Sequence, residues 1–178
     1  ELPALRGRNR SDQARKPRSL TMANSEKTEN FWREACLQCD IDPTTEYQVW
    51  YFGDSENMAR ELAELVISGT KTATASAVAH NEKHPEVAPV PDGYSVVTDF
   101  SGEPLCVVQT TELTHRPFSE VDAAFAFDEG EGDRSLESWR DAHRSYYERE
   151  GVVSGYKFDE RMLVCCERFR LVFPRRVD

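Results

Sequence analysis

Gly69-Thr-Lys-Thr-Ala-Thr-Ala-Ser76 is the stretch that decides how this chain is read. Before it, Met58, Leu62, Leu65 and Val66 recur at i, i+4, i+7 and i+8, the stripe of a helix facing a core. Asp54 or Ser55 suits the start of that helix, and Gly69 suits its C-terminal cap. After it comes a strand at about residues 71–79. Thr72, Thr74 and Ser76 recur at period two, so one strand face carries hydroxyls where a core strand would carry Val or Ile. Lys71 stands at the junction, where the helix dipole favours a cation. A cation beside a wall of hydroxyls suits a polar ligand, anionic or carbonyl-bearing. Partly desolvated, Lys71 serves either as a base of lowered pKa or as a fixed positive charge over a developing oxyanion. Lys71 and Thr74 are three apart and face opposite sides of a regular strand. They converge only if Lys71 lies in the turn or a bulge intervenes.

Working outward, residues 28–39 read as a first helix with Phe31, Trp32 and Cys36 on its apolar side. Residues 47–52, Tyr-Gln-Val-Trp-Tyr-Phe, read as an aromatic strand containing Trp50. Residues 80–91 read as a Pro-containing loop with His80 and His84 solvated. Pro91-Asp-Gly93 is a turn signal ahead of a short strand at 94–98. Phe100-Ser-Gly-Glu103 forms a hairpin turn into a longer strand at 105–113. Phe118, Val121 and the 123–126 Ala-Ala-Phe-Ala run suggest a compact turn or short helix, followed by the acidic loop Asp128-Glu-Gly-Glu-Gly-Asp133. A helix starts near Ser135, with Leu136, Trp139, His143 and Tyr146 or Tyr147 at helical spacing. Residues 162–173 form the last strand, where Glu167 interrupts the alternation of Leu163, Cys165, Phe169, Leu171 and Phe173. Strands clustered at 71–113 and 162–173, with helices before and between them, predict an α+β fold.

With 178 residues the chain is long enough for one domain with a real core. Its formal charge of −10 is unevenly spread: residues 1–21 carry six basic and two acidic side chains, which leaves about −14 on residues 22–178 by subtraction. An acidic body disfavours non-specific binding to long nucleic acid, and no DNA partner is expected. It leaves room for a nucleoside, or for RNA held at one basic pocket. Residues 1–28 read as a disordered basic arm preceding a domain at 29–178. The functional alternative for the arm, an RNA-grazing tail, lacks interleaved aromatics. No signal-peptide core and no apolar run near the ~20 residues of a membrane span are present. Five cysteines, an odd count, read as reduced thiols in a cytoplasmic protein.

Several groups are candidates for chemistry. Cys36 and Cys39 have the two-residue spacing of a metal or redox pair. A structural zinc site needs about four ligands, so two small residues on a buried helix face is the simpler reading. The acidic loop does not fit an EF-hand, because the position eleven residues after Asp128 is Trp139 and after Glu129 is Arg140. A magnesium site using one or two of its carboxylates is a lesser alternative. The favoured reading turns one carboxylate inward as a general base or substrate anchor, the others being solvated or capping the Ser135 helix. No cofactor and no metal are called for. His143, beside Trp139, reads as a core histidine satisfied by a backbone partner. Glu167 needs a cation or hydrogen bonds if its face is core, with Lys71 and Arg140 as candidate partners.

Taken together, these segments resemble the ASCH domain family, similar in fold to the PUA superfamily, and most of all its larger bacterial members. The residues that carry the resemblance are Gly69-Thr-Lys71-Thr-Ala-Thr74 after a helix and Pro91-Asp-Gly93 before a strand. The Glu129-Gly-Glu-Gly-Asp133 loop followed by Ser135-Leu-Glu-Ser-Trp-Arg140, and the terminal Cys166-Glu-Arg-Phe169, complete the set. The likeness covers about residues 29–174. It implies a PUA-like mixed or antiparallel β pseudobarrel of five or six strands with flanking helices, and a cleft for RNA or a nucleoside. Some small relatives are amidohydrolases that deacetylate acetylcytidine with a Lys, a Thr and a Glu. The matching catalytic positions here are Lys71, Thr74 and Glu129. Thr72, Ser76, Glu131, Arg140 and Trp50 are the candidate substrate-binding residues. Other relatives are described as ribonucleases. Ser76 stands where many relatives carry Arg, which weakens the case for a phosphate or carboxylate grip. Three functions stay open: an amidohydrolase of acylated cytidine-type nucleosides, a ribonuclease on single-stranded RNA, and a non-catalytic RNA-binding module. The oligomeric state is not legible in the sequence.

Overall fold

The computed structural model describes residues 25–174, so the predicted arm lies almost wholly outside the described residues. Ser25 opens the first helix, α1 (Glu26–Cys39). Its hydroxyl accepts from the Thr28 amide while the Thr28 hydroxyl accepts from the Ser25 amide, a reciprocal cap. β1 (Tyr47–Trp50) follows, then α2 (Glu56–Ser68), capped by Ser55 and ended by Gly69 in the left-handed region at φ 78°. β2 (Ala73–Ala77) leads directly into a helix, α3 (Val78–Lys83). β3 (Tyr94–Thr98) and β4 (Pro104–Pro117) form the predicted hairpin, β4 running further than the sequence suggests. A 3-10 turn at Phe118–Glu120 precedes α4 (Ala123–Glu129), α5 (Leu136–Ser154) and β5 (Leu163–Phe173).

The five strands form one sheet in the order β1-β3-β4-β5-β2. β1 runs parallel to β3, and the other neighbours are antiparallel. The fold is α+β, with helices flanking a mixed sheet, as expected. The pseudobarrel implied by the resemblance is not seen in the strand pairing. β1 and β2, of four and five residues, lie at opposite edges with three strands between them, and the sheet stays open.

Three apolar clusters hold the layers. Trp32, Ala35 and Cys36 of α1 pack against Val49, Val96, Val107 and Phe173. The thiol of Cys39 donates to the Val172 carbonyl at 3.3 Å, tying the end of α1 to β5. Ala63 and Val66 of α2 pack with Phe52, Val97, Val108 and Phe169. The predicted stripe of α2 lies on the correct side, but its most buried members are Ala59, Ala63 and Val66, with Met58, Leu62 and Leu65 at the margin. Small side chains let the helix approach the sheet closely. Phe118, Phe125, Trp139 and Tyr147 pack with Ala73, Ala77 and Val164, seating α4 and α5 over β2 and β5.

Two local expectations are corrected. Residues 78–83 are helical, not the end of a strand and the start of a loop. His80 is consequently buried, not solvated; its Nδ1 lies 3.0 Å from the Ser154 hydroxyl and 3.5 Å from Glu150. Burial holds its pKa below the ordinary value, with Glu150 opposing. The 128–133 loop also begins later than read, since Asp128 and Glu129 are the last residues of α4.

Candidate functional site: a buried lysine between two carboxylates

The site is built where two helix ends meet. The turn after α2 is tight, and the amides of Thr70 and Lys71 both donate to the Leu65 carbonyl, at 2.9 and 3.0 Å. Lys71 therefore sits in the turn and not in the strand, which frees its side chain to swing to the face that carries Thr74. At the other end, α4 stops at Gly130 with φ 74°, and a β-carbon there would meet the Thr70 carbonyl oxygen at 2.5 Å. Glycine thus permits both the left-handed turn and the contact of the two chain segments. The Thr72 amide seals them by donating to the Asp128 carbonyl at 2.8 Å.

The Lys71 side chain has no exposure. Its Nζ donates to Glu129 Oε2 at 2.8 Å and to Glu131 Oε1 at 2.5 Å, and stands 5.4 Å from the centre of the Phe52 ring. Burial works against the charge, but the two carboxylates outweigh it and its pKa is raised. Lys71 is a permanent cation at neutral pH, not a base of lowered pKa. Glu129 is equally buried. Besides Lys71 on one oxygen, it receives the Trp139 indole N–H on Oε1 at 2.8 Å, with His143 Nε2 3.4 Å from the same atom. Burial would raise its pKa, but Lys71 and His143 reverse that and hold it well below the usual carboxylate range. His143 has the predicted backbone partner, since its Nδ1 lies 3.0 Å from the Trp139 carbonyl. A carbonyl only accepts, so Nδ1 carries a proton and Nε2 faces Glu129. Burial opposes protonation of the ring, but Glu129 raises its pKa overall. Glu131, with 24% of its side chain exposed, is the open side of the cluster.

A cavity of about 90 Å³ adjoins this network. Phe52, Met58 and Leu62 form an apolar wall, and Thr74, Glu131 and His143 a polar one. Of the residues the sequence nominated, Thr74, Glu129 and Glu131 line this cavity, and Lys71 lies behind it, hydrogen-bonded to both carboxylates. Ser76 shares the strand face with Thr74, and Thr72 lies just before the strand and lines a separate groove; both are otherwise engaged. The Thr72 hydroxyl donates to the Asp128 carbonyl at 3.3 Å, and the Ser76 hydroxyl accepts from Asn81 Nδ2 at 2.8 Å. Trp50 packs edge-on against Phe52, with ring centres 4.8 Å apart, and it is Phe52 that reaches the cavity. Arg140 points elsewhere, donating to the Ser119 carbonyl at 3.1 Å. Asp133 accepts from the Ser135 amide at the start of α5. The sequence missed the partner of Glu167, which is Thr110. Its hydroxyl donates to Glu167 Oε1 at 2.5 Å. A larger groove of about 920 Å³, between the α1–β1 connection and β5, is lined by residues including Asp40, Asp42 and Arg170, with no part of the lysine cluster.

A family model described as the ASCH domain matches residues 48–173. The chain belongs to the ASCH domain family. The ASCH domain of Lactobacillus crispatus JV V101 is 30% identical, with a TM-score of 0.74 over 86% of this chain and 99% of that one. A protein from Enterococcus faecalis V583 is 31% identical, with a TM-score of 0.72 over 81% of this chain and 86% of that one. No curated protein matches. The ASCH domain is implicated in RNA binding, and the open sheet described above is the framework of this ASCH domain. No helix among its described residues is long and apolar enough to cross a membrane.

Proposed function

We propose that this ASCH protein is a hydrolase of acylated nucleosides of the cytidine type. The observation that carries the reading is the Lys71 ammonium, fully buried and clamped between Glu129 and Glu131, the two carboxylates that line a cavity together with Thr74. A desolvated cation held in place before reaction is suited to stabilise the oxyanion that forms when an amide carbonyl is attacked. Thr74 supplies a hydroxyl at that cavity. Glu129, with both oxygens engaged and its pKa depressed, is suited to hold the ammonium in position and keep it charged. Phe52 offers a flat apolar surface against which a base can lie. The five unpaired thiols fit a reducing, cytoplasmic setting. Cleavage of an RNA strand fits less well, because the cavity is small and the body of the chain carries about −14.

The test is release of acetate from N4-acetylcytidine. Lys71→Met alone would strand a buried carboxylate, so it is paired with Glu129→Gln. The expected outcome is turnover by the wild type and a loss of about 10²–10³-fold in kcat in the double variant. Wild-type protein inert toward every acylated nucleoside, or turnover undiminished in the double variant, rules the reading out. Saturable nucleoside or RNA binding without turnover points to the binding-module alternative.

A further inference from the structure

Glu167 is a buried carboxyl that the site described above does not use. It is 5% exposed and lies on β5 in direct register with Thr74 of β2. In an antiparallel pair, residues directly opposite have Cα atoms about 4.5–5.5 Å apart and side chains on the same face. The Thr74 hydroxyl and the Glu167 carboxyl therefore rise side by side from one patch of sheet. Two residues on, Phe169 rises from the same face of β5 and packs against Phe52, whose ring lines the cavity. The Thr110 hydroxyl, from β4, is the carboxyl's hydrogen-bond partner among the described residues. Three strands thus converge on one acid beside the nominated nucleophile. A buried carboxyl with one partner is costly to keep on a strand for stability alone.

We propose that Glu167 is the proton-transfer residue of this site, taking the proton of the Thr74 hydroxyl as that oxygen attacks and delivering it to the leaving nitrogen. The proposal rests on the hydrolase reading. In the first half, a bond forms between the Thr74 oxygen and the acyl carbon, and the hydroxyl proton passes to Glu167. The carbonyl electrons move onto oxygen beside the Lys71 ammonium. Collapse breaks the carbon–nitrogen bond, and Glu167 returns the proton to the amine nitrogen, releasing the nucleoside. In the second half, water attacks the acyl-threonine and gives one proton to Glu167, and the carbon–oxygen bond to Thr74 breaks. The proton then restores the Thr74 hydroxyl and the free acid leaves. The sum is one amide and one water converted to one amine and one carboxylic acid.

The surroundings of Glu167 suit the task. Burial raises its pKa to about 7, with the Thr110 hydrogen bond and the Lys71 charge acting in the opposite direction. The other groups facing it are uncharged at neutral pH. Thr74 and Ser76 come from β2, and Cys165, from β5, has its thiol pushed up to about 11 by burial, with Glu167 adding to the shift. Arg168 is paired with Asp128 at 2.8 Å. A base must be ionised to accept a proton, so kcat rises with pH through the pKa of Glu167.

The experiment is the kcat and KM pH profile on N4-acetylcytidine for wild type, Glu167→Gln, Thr110→Val and Lys71→Met/Glu129→Gln, with thermal melts as a folding check. Glu167→Gln is expected to lower kcat by about 10²–10⁴-fold, leave KM within a few-fold and abolish the acid limb. Thr110→Val removes a hydrogen bond that favours the carboxylate, so the limb moves upward by about one pH unit. A purely structural role would not move it. If Glu167→Gln fails to fold, Glu167→Asp and Thr110→Val decide: a retained limb in the first and a raised limb in the second support the assignment. Activity that survives Glu167→Gln but not the lysine–glutamate double variant overturns the role of Glu167 alone. An inert wild type overturns the hydrolase reading and this assignment with it.

Discussion

At the scale of single residues, the buried cluster of this ASCH domain removes an amine from water without removing its charge. Lys71 has no exposed side chain yet stays cationic, because Glu129 and Glu131 lie at 2.8 and 2.5 Å. Such a pair is stable together and costly apart. Lys71→Met alone is expected to cost about 3–5 kcal/mol, because it leaves Glu129 buried beside fewer donors. The double variant Lys71→Met/Glu129→Gln is expected to cost less than the two single changes summed, a coupling visible in urea denaturation. Additive single effects would mean that the two groups do not depend on each other. The pH dependence has a definite sign. Glu129 has a lowered folded-state pKa, so its contribution is present above the unfolded value and is lost as pH falls through the folded one. Glu129→Gln should flatten that acid loss.

At the scale of elements, the site depends on two helix ends that terminate against each other. α2 ends at Gly69 and α4 at Gly130, both left-handed, and the second turn sits on the Thr70 carbonyl. Gly130→Ala is expected to cost on the order of 2–4 kcal/mol, from the strained backbone together with the clash. The control is Gly132→Ala, also left-handed at φ 56°, where the added carbon meets only the Ser138 hydroxyl at 2.8 Å. Its melting temperature should fall by clearly less. Equal losses would show that the Thr70 contact does not matter. The helix caps at Ser55, Gly69 and Ser135 were readable because each is a local device. α3 was not, since Val78-Ala-His-Asn-Glu-Lys83 has no capping side chain and only six residues. Its anchor is the end of α5: Lys83 donates to the Gly155 carbonyl at 2.9 Å, and His80 lies against Ser154.

At the scale of the whole molecule, charge sets the partners. Residues 22–178 carry about −14, so single-stranded RNA is expected to bind no tighter than about 10⁻⁵ M at physiological salt, weakening as salt rises. Removing residues 1–21, with their six basic side chains, should weaken it further and flatten the salt dependence while nucleoside binding is unchanged. Tight RNA binding by the truncated chain, followed by fluorescence anisotropy, would reverse this view of the acidic body. The sequence by itself determined the helices with caps and the strands with turn signals, because those rest on neighbours along the chain. It also nominated Thr74, Glu129 and Glu131, which line the cavity, and Lys71, which is held behind the two carboxylates, through the Gly-Thr-Lys and Glu-Gly-Glu patterns. Only the tertiary structure decided that Lys71 lies in a turn, that Phe52 and not Trp50 faces the cavity, and that Arg140 is spent on the Ser119 carbonyl. It alone set Glu167 opposite Thr74 and gave it Thr110 as partner, and it alone left the sheet open. Strand register and helix-to-helix contact join residues far apart in the chain, and no local pattern encodes which of them will touch.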